Sequence, residues 1–307
     1  MASEIVVVGA CMFDLISYVP RFVNNGETLH GHEFQMGYGG KGANQAVMAA
    51  KLGSKVKLIS KLGEDFFGKG TVENLKKFNV NLDHLYFTDK ALSGVAPITV
   101  TDQGENSVII VSGANNYLTK AEIVAATEEI KKAKYLLCQL EIDLTLTQTA
   151  LEIAKAHGVK TILNPAPATN KLPKEIYKLV DVFCPNETET EILTHGKTDS
   201  LETAQQQAKV LLARGVKTVI ITLGERGCLI VDANESFHIP APKVNVVDTV
   251  GAGDCFVGSL AHFLANGLDL KSAASRAVEI ASISVQAKGT QTSFPTKDEV
   301  TDSIMNF

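Results

Sequence analysis

Near the C-terminus, Asp248-Thr249-Val250-Gly251-Ala252-Gly253-Asp254 precedes an apolar run over 256–264 that reads as a helix. Glycines flanking an alanine at a helix start leave bare N–H groups at the positive end of the dipole, a place suited to an anion. Asp254 falls in the first turn. It is then either a helix cap, a role Asp favours, or a catalytic base beside bound anionic oxygen. Four other polar groups follow strand-like runs: Glu141 after 135–138, Asn164 after 161–163, Asn186-Glu187-Thr188-Glu189 after 182–184, and Thr222-Leu223-Gly224 after 219–221. In a parallel sheet these strand ends lie along one edge, where such folds bind ligands. Glu187 and Glu189 also suit a plain helix N-terminus; water-mediated Mg2+ binding is the functional alternative.

A second glycine cluster, Gly37-Tyr38-Gly39-Gly40-Lys41-Gly42, also leads into a helix. It is not a dinucleotide fingerprint, which needs its glycines straight after the first strand; the residues there are Gly9-Ala10-Cys11-Met12. A P-loop fails too, because Gly42 follows Lys41 where Ser or Thr should meet magnesium. The cluster is either a tight turn or an opening for a small polar ligand, with Lys41 and Asn44 as donors. Five cysteines without a close pair form no zinc or redox motif. Cys255 reads as a buried thiol, since a nucleophile there would need a base beside it. His30 and His32 would share one face of a strand, but two ligands do not make a metal site.

The elements that must position these groups follow from periodicity. A β-branched strand over 5–8 is followed by short alternating segments over 14–36, then a helix over 43–52 and a strand over 56–60. A helix over 66–78 precedes two alternating segments, 94–100 and 107–111, with a hairpin turn at 102–105. From there strands and helices alternate: helix 120–132, strand 135–138, helix 144–156, strands 161–163 and 182–184, helices 187–193 and 201–213, and strand 219–222. This rhythm implies right-handed crossovers and a parallel sheet with helices on both faces. A late hairpin, 229–231 with 237–239, and three helical segments end the chain.

The expected fold class is α/β, a doubly wound and mostly parallel sheet with a small β-sheet lid. The whole of 1–307 is expected to form one domain, with the lid contributed by about 14–35 and 93–111. A β flap at the sheet's C-terminal edge suits exclusion of water during reaction, or pairing with a second copy. The composition, 45% hydrophobic and 21% charged with a net charge of −5, is that of an ordinary globular protein. No basic run points to nucleic acid and no apolar stretch to a membrane, so neither partner is expected, and the cytoplasm is the expected location, with the nucleus left open.

Four runs in order, Gly39-Gly40-Lys41-Gly42-Ala43-Asn44-Gln45, Asn186-Glu187-Thr188-Glu189, Thr222-Leu223-Gly224-Glu225-Arg226-Gly227 and Asp248 to Asp254, resemble the ribokinase family of sugar kinases over nearly the whole chain. The resemblance implies ATP-dependent phosphorylation of D-ribose at its 5-hydroxyl. Its alternatives are another kinase of the family, acting on a fructose-type sugar or a nucleoside, and a catalytically silent sugar sensor. It further implies that Asp254 is the base and Gly251, Ala252 and Gly253 the anion hole. Asp14, Gly40, Lys41, Asn44 and Glu141 would hold the sugar; Asn186, Thr222, Gly224, Gly227 and Gly253 would hold ATP. Glu189 would act toward Mg2+. A monovalent cation such as K+ would sit on Asp248, Val250, Ser284, Ala287, Gly289 and Ser293, and a homodimer would form through the lid. Two positions depart from common family residues: Met12, where some members have a sugar-binding asparagine, and Val278, where a polar residue often lies near the adenine.

Overall fold

The computed structural model describes residues 4–170 and 172–305. The strands are β1 (Ile5–Val8), β2 (Met12–Val19), β3 (Glu33–Gly39), β4 (Val56–Gly63), β5 (Leu85–Thr88), β6 (Gly94–Thr101), β7 (Asn106–Val108), β8 (Tyr135–Cys138), β9 (Lys160–Leu163), β10 (Val182–Phe183), β11 (Thr218–Thr222), β12 (Cys228–Val231) and β13 (Ser236–Ile239). The helices are α1 (Lys41–Lys51), α2 (Phe66–Lys77), α3 (Lys120–Ala125), α4 (Thr127–Lys132), α5 (Leu144–Ala156), α6 (Lys174–Leu179), α7 (Glu187–Thr194), α8 (Leu201–Ala213), α9 (Ala252–Ala265), α10 (Leu270–Ser284) and α11 (Asp302–Met305).

Nine strands form one sheet in the order β13-β12-β11-β10-β9-β8-β1-β4-β5. Pairing is parallel from β5 to β11, and the late hairpin β12–β13 adds an antiparallel edge. Successive side chains in a strand face opposite sides, and β1 shows the result. Ile5 and Val7 join a core with α1, α9 and α10, while Val6 and Val8 join a second core with α3, α5 and α8. All four are fully buried, so β1 is an inner strand of a doubly wound sheet covered on both faces.

A second sheet, in the order β3-β2-β6-β7, is an excursion from this frame. β2 and β3 are inserted between the C-terminal end of β1 and the start of α1, so the small sheet grows from the edge where the parallel strands end. β2 pairs antiparallel with β3 and parallel with β6. The sheet begins at Met12 and runs to Gly39, past the expected limits. Its last strand stops at Val108, Val111 keeping only a single bridge to Val95.

Other expectations need correcting. The helix expected over 120–132 is two, because the Thr127 hydroxyl donates to the Val124 carbonyl (2.6 Å) and breaks the helical ladder at Ala126. Ile123, Ala126 and Ile130 stay buried across the break, so the apolar period hides it. His30 and His32 lie in the loop before β3, not on a strand. Among the described residues no His/Cys/Asp/Glu cluster of metal-binding size occurs, and no helix is long and apolar enough to cross a membrane.

Candidate active site

Of the expected strand-end groups, Asn164, Asn186, Glu189 and Thr222 converge, whereas Glu141, like the expected sugar residues Asp14, Gly40 and Asn44, lies outside the cleft lining. Lys41, Asn164, Asn186, Glu189, Thr222, Gly251, Gly253 and Asp254 line one cleft at the C-terminal edge of the parallel sheet. The strand order turns there, with β4 on one side of β1 and β8 on the other, the usual ligand position in such folds.

On the cleft's wall, α9 starts from Gly251, which adopts a left-handed conformation (φ 79°) and gives no side-chain cap. A Cβ on Gly251 would come within 2.6 Å of the Thr290 methyl, whereas a Cβ on Gly253 would meet nothing within 4 Å. The Ala252 N–H bonds the Thr249 carbonyl (3.2 Å); those of Gly253 and Asp254 have no protein acceptor among the described residues. Asp254 does not cap the helix. Its Oδ2 accepts from Asn44 Nδ2 (2.9 Å) and its Oδ1 from Gln45 Nε2 (3.0 Å), and the residue is 5% exposed. A buried carboxylate held by two amides beside open helix N–H groups has the geometry of a candidate base.

Across the cleft, α1 also starts from a left-handed glycine, Gly40 (φ 84°). Here the glycines serve close approach. A Cβ on Gly42 would lie 2.6 Å from the Gly9 backbone, and one on Gly40 would lie 2.6 Å from the Met12 nitrogen. The helix start is closed by protein: Glu141 Oε2 accepts from the Lys41 N–H (2.7 Å), and the Ala43 N–H bonds the Ala10 carbonyl (3.1 Å). Asp14, on β2, sits over bare glycine; a Cβ on Gly39 would be 2.4 Å from its Oδ1. No hydrogen-bond donor reaches the Asp14 carboxylate among the described residues, although it is 8% exposed. Burial, with the Asp254 charge adding, pushes Asp14 up to about 6. Burial likewise pushes Glu141 up to about 7, against the pull of Lys41. The Lys41 ammonium is raised, chiefly by Asp254, with Glu141 and Glu189 adding and burial opposing. One lysine thus stands among three carboxylates.

At the far end of the cleft, Asn186 caps α7 in a reciprocal box: its Oδ1 accepts from the Glu189 N–H (2.7 Å), and Glu189 Oε2 accepts from the Asn186 N–H (2.8 Å). Both readings of Glu189 therefore hold at the level of geometry, since it is a helix-start acid and also faces the cleft. Burial is the main cause of its raised pKa. Glu187 turns away and pairs with Arg226. Gly224 lies outside the residues lining the cleft. So does Gly227, whose left-handed turn (φ 87°) packs so closely that a Cβ would meet the Ile239 carbonyl at 2.0 Å.

The six residues expected at a monovalent cation lie on two segments that Asp248 ties together. Its Oδ1 accepts from the Val250 N–H (3.0 Å) and its Oδ2 from the Gly289 N–H (2.9 Å). The carbonyl oxygens of Val250, Ala287 and Gly289 receive no donor among the described residues, whereas the Ser284 carbonyl accepts from Ala287 and the Ser293 hydroxyl donates to Thr290. An all-oxygen set with open carbonyls fits a hard, weakly hydrated cation. All five cysteines are buried, and burial pushes the Cys255 thiol up to about 12, which excludes a thiolate nucleophile.

Gln45, Gln139 and Gln291 were not among the expected site residues, yet they form the amide network around Asp254. Gln45 and Gln291 carry no local signal of this role, and their partners are far off in sequence, Gln45 and Asp254 being 209 residues apart.

A family model for pfkB family carbohydrate kinases matches residues 2–297. The chain is 46% identical over 303 residues to the ribokinase of Mus musculus, covering 97% of this chain and 94% of that one. It is 41% identical over 301 residues to the deoxyribokinase of Salmonella typhi, with 98% of each covered. The solved structure of Arabidopsis thaliana ribokinase complexed with ribose and ATP matches with a TM-score of 0.91 at 32% identity, over 100% of both chains.

Proposed function

This chain belongs to the pfkB family of carbohydrate kinases, and from that premise we propose that it transfers the terminal phosphoryl group of ATP to the 5-hydroxyl of D-ribose, giving ribose 5-phosphate and ADP. The observation that carries the reading is the uncapped α9 start, with Asp254 buried in the cleft beside the open N–H groups of Gly253 and Asp254. Asp254 takes the proton from the attacking hydroxyl. The Gly251-Ala252-Gly253 backbone receives the charge that collects on the phosphoryl oxygens, and Lys41 adds a cation from the facing wall. Asp14 and Glu141 accept sugar hydroxyls; an unpartnered buried carboxylate such as Asp14 needs donors of that kind. Gly40, Lys41 and Asn44 complete the sugar side, and Asn186, Thr222, Gly224, Gly227 and Gly253 the ATP side.

Glu189 would hold Mg2+ through water with the carboxylate oxygen left free by the capping box; the metal supplies neutralisation of phosphate charge when bound. Asp248, Ser293 and the carbonyls of Val250, Ser284, Ala287 and Gly289 would hold K+, which keeps the loop before α9 in shape. The whole chain acts as one kinase domain in the cytoplasm, without nucleic acid or membrane as partner. Its small sheet serves as lid and as homodimer face, supported by the exposed Phe34, Met36, Val108, Ile109, Ile110 and Val111.

A second reading, 2-deoxy-D-ribose in the same site, is favoured by Met12, a buried thioether whose sulfur lies 3.7 Å from Asn115 Nδ2 and offers little to a hydroxyl. A coupled ADP-release assay over ribose, 2-deoxyribose, fructose and adenosine tests both readings. Ribose is expected to turn over fastest, and faster in potassium than in sodium-only buffer. Turnover confined to fructose or adenosine overturns the pentose assignment, and equal rates in the two buffers overturn the cation site.

A further inference from the structure

Two chains of side-chain amides end on the two oxygens of Asp254. In one, Asn74 Nδ2 donates to Gln291 Oε1 (2.7 Å), Gln291 Nε2 to Asn44 Oδ1 (2.9 Å), and Asn44 Nδ2 to Asp254 Oδ2 (2.9 Å). In the other, Gln139 Nε2 donates to Gln45 Oε1 (2.6 Å) and Gln45 Nε2 to Asp254 Oδ1 (3.0 Å). Each amide donates toward the carboxylate, and the inner members Gln291, Asn44 and Gln45 also accept on oxygen, so the two chains share one polarity; at an outer end, Gln139 Oε1 is buried without a partner among the described residues. Hydrogen-bond partners fix which way an amide faces. Asp254 as a carboxylate only accepts, which sets Asn44 and, behind it, Gln291. Gln45 is set independently: Asn164 Nδ2 donates to the Cys184 carbonyl (2.9 Å), leaving Asn164 Oδ1 to accept from Gln45 Nε2 (3.2 Å).

Gln45 is fully buried, Gln291 is 4% exposed, and neither lines the cleft. Their amides are engaged by protein: Gln45 with Asp254, Asn164 and Gln139, and Gln291 with Asn44 and Asn74. Gln291 is also anchored by its backbone: its carbonyl and that of Phe294 accept from Lys51 Nζ (2.8 and 2.5 Å), which ties the segment after Gly289 to α1.

We infer that Gln45 and Gln291 are positioning residues for the phosphoryl-transfer step: two oppositely placed amide donors fix the Asp254 side chain, and Gln291 fixes the Asn44 amide that supplies one of them. The inference rests on Asp254 being the base. Gln45→Met and Gln291→Met remove one donor each at nearly constant length. Gln291→Glu keeps the acceptor for Asn74 but sets an oxygen against Asn44 Oδ1, so Asn44 must turn its own oxygen toward Asp254 or lose the contact.

With ribose and ATP, on protein whose folded fraction is measured by circular dichroism, each Met variant lowers kcat about tenfold and Gln291→Glu lowers it further, while the KM for ATP in every variant, and that for ribose in Gln45→Met, stay within about threefold of the parent. Asn74→Ala, at the half-buried outer end where the fold is least at risk, lowers kcat about threefold, and it decides with the Gln291 variants if Gln45→Met does not fold. Parental kcat in the folded variants overturns the inference; so does a loss confined to KM or to the melting temperature, which a merely structural role would produce. Asp254→Asn separates the two levels. Turnover retained there overturns the base itself, whereas turnover lost there with unaffected glutamine variants overturns the positioning alone.

Discussion

The starts of α1 and α9 face each other across the cleft, and both are entered from a left-handed glycine without a side-chain cap. At α1 the protein closes the opening itself: the Glu141 carboxylate takes the Lys41 N–H, and Gly42 lies against the backbone of Gly9. At α9 the opening is left free, with empty space over Gly253 and N–H groups beside Asp254 that find no acceptor among the described residues. A glycine-rich helix start is therefore not by itself an anion site. What faces it decides: a buried carboxylate makes it a structural joint, and a cleft makes it a place for phosphate. A third start at the same cleft, α7, is capped in the ordinary way by Asn186.

Substitution at matched glycines should separate these roles most sharply. Gly253→Ala adds a methyl where nothing is near, so the fold keeps its stability or gains up to about 1 kcal/mol of helix propensity. In the proposed reaction the same methyl would stand where the phosphoryl group sits, and kcat is expected to fall about 100-fold in the coupled assay. Gly42→Ala is the converse. Its Cβ meets unyielding backbone at 2.6 Å, and denaturant unfolding should show a loss of about 2–3 kcal/mol despite the propensity gain. If Gly253→Ala unfolds the protein, or Gly42→Ala leaves its stability intact, the contrast between the two starts is broken.

The closed side gathers carboxylates, which predicts a pH dependence. With Asp14 pushed up to about 6 from an ordinary 3.8, the folded state keeps a proton that the unfolded state has lost between those values. Stability from this group is therefore highest below about pH 4 and falls as pH rises through 6. Asp14→Asn carries no such slope, so its stability relative to the parent should be greater at pH 8 than at pH 4 by about 1–3 kcal/mol. A pH-independent difference would contradict the crowding described here. The smallest effect belongs to the ordinary cap: Asn186→Ala should cost about 1 kcal/mol of stability, against no comparable side-chain cap to lose at α1 or α9.

Much of this was legible in the sequence. The order of strands and helices and the motif before α9 follow from periodicity and glycine placement, because these are local signals. The two meanings of Asp254 are both visible locally and the resemblance favours the base; what no local pattern shows is how Asn44 and Gln45 hold its carboxylate from 210 and 209 residues away in the chain. Gln291 and Gln139 carry no local pattern at all; a buried amide reads as an ordinary polar residue until its partners are placed. The glycines at 40 and 42 read equally as a tight turn and as a ligand opening, because sequence cannot show Glu141 at the helix start or Gly9 packed against it. The short strand β5 and the short helix α6 escaped notice for want of length.

The most direct test of the account is Asp254→Asn, with turnover from the coupled assay and ribose affinity from calorimetry measured on the same folded protein. The account predicts turnover lower by about 1,000-fold or more while ribose affinity stays within about threefold, since the amide keeps the shape but cannot take the proton. Turnover within tenfold of the parent, or ribose binding lost in step with turnover, would contradict it.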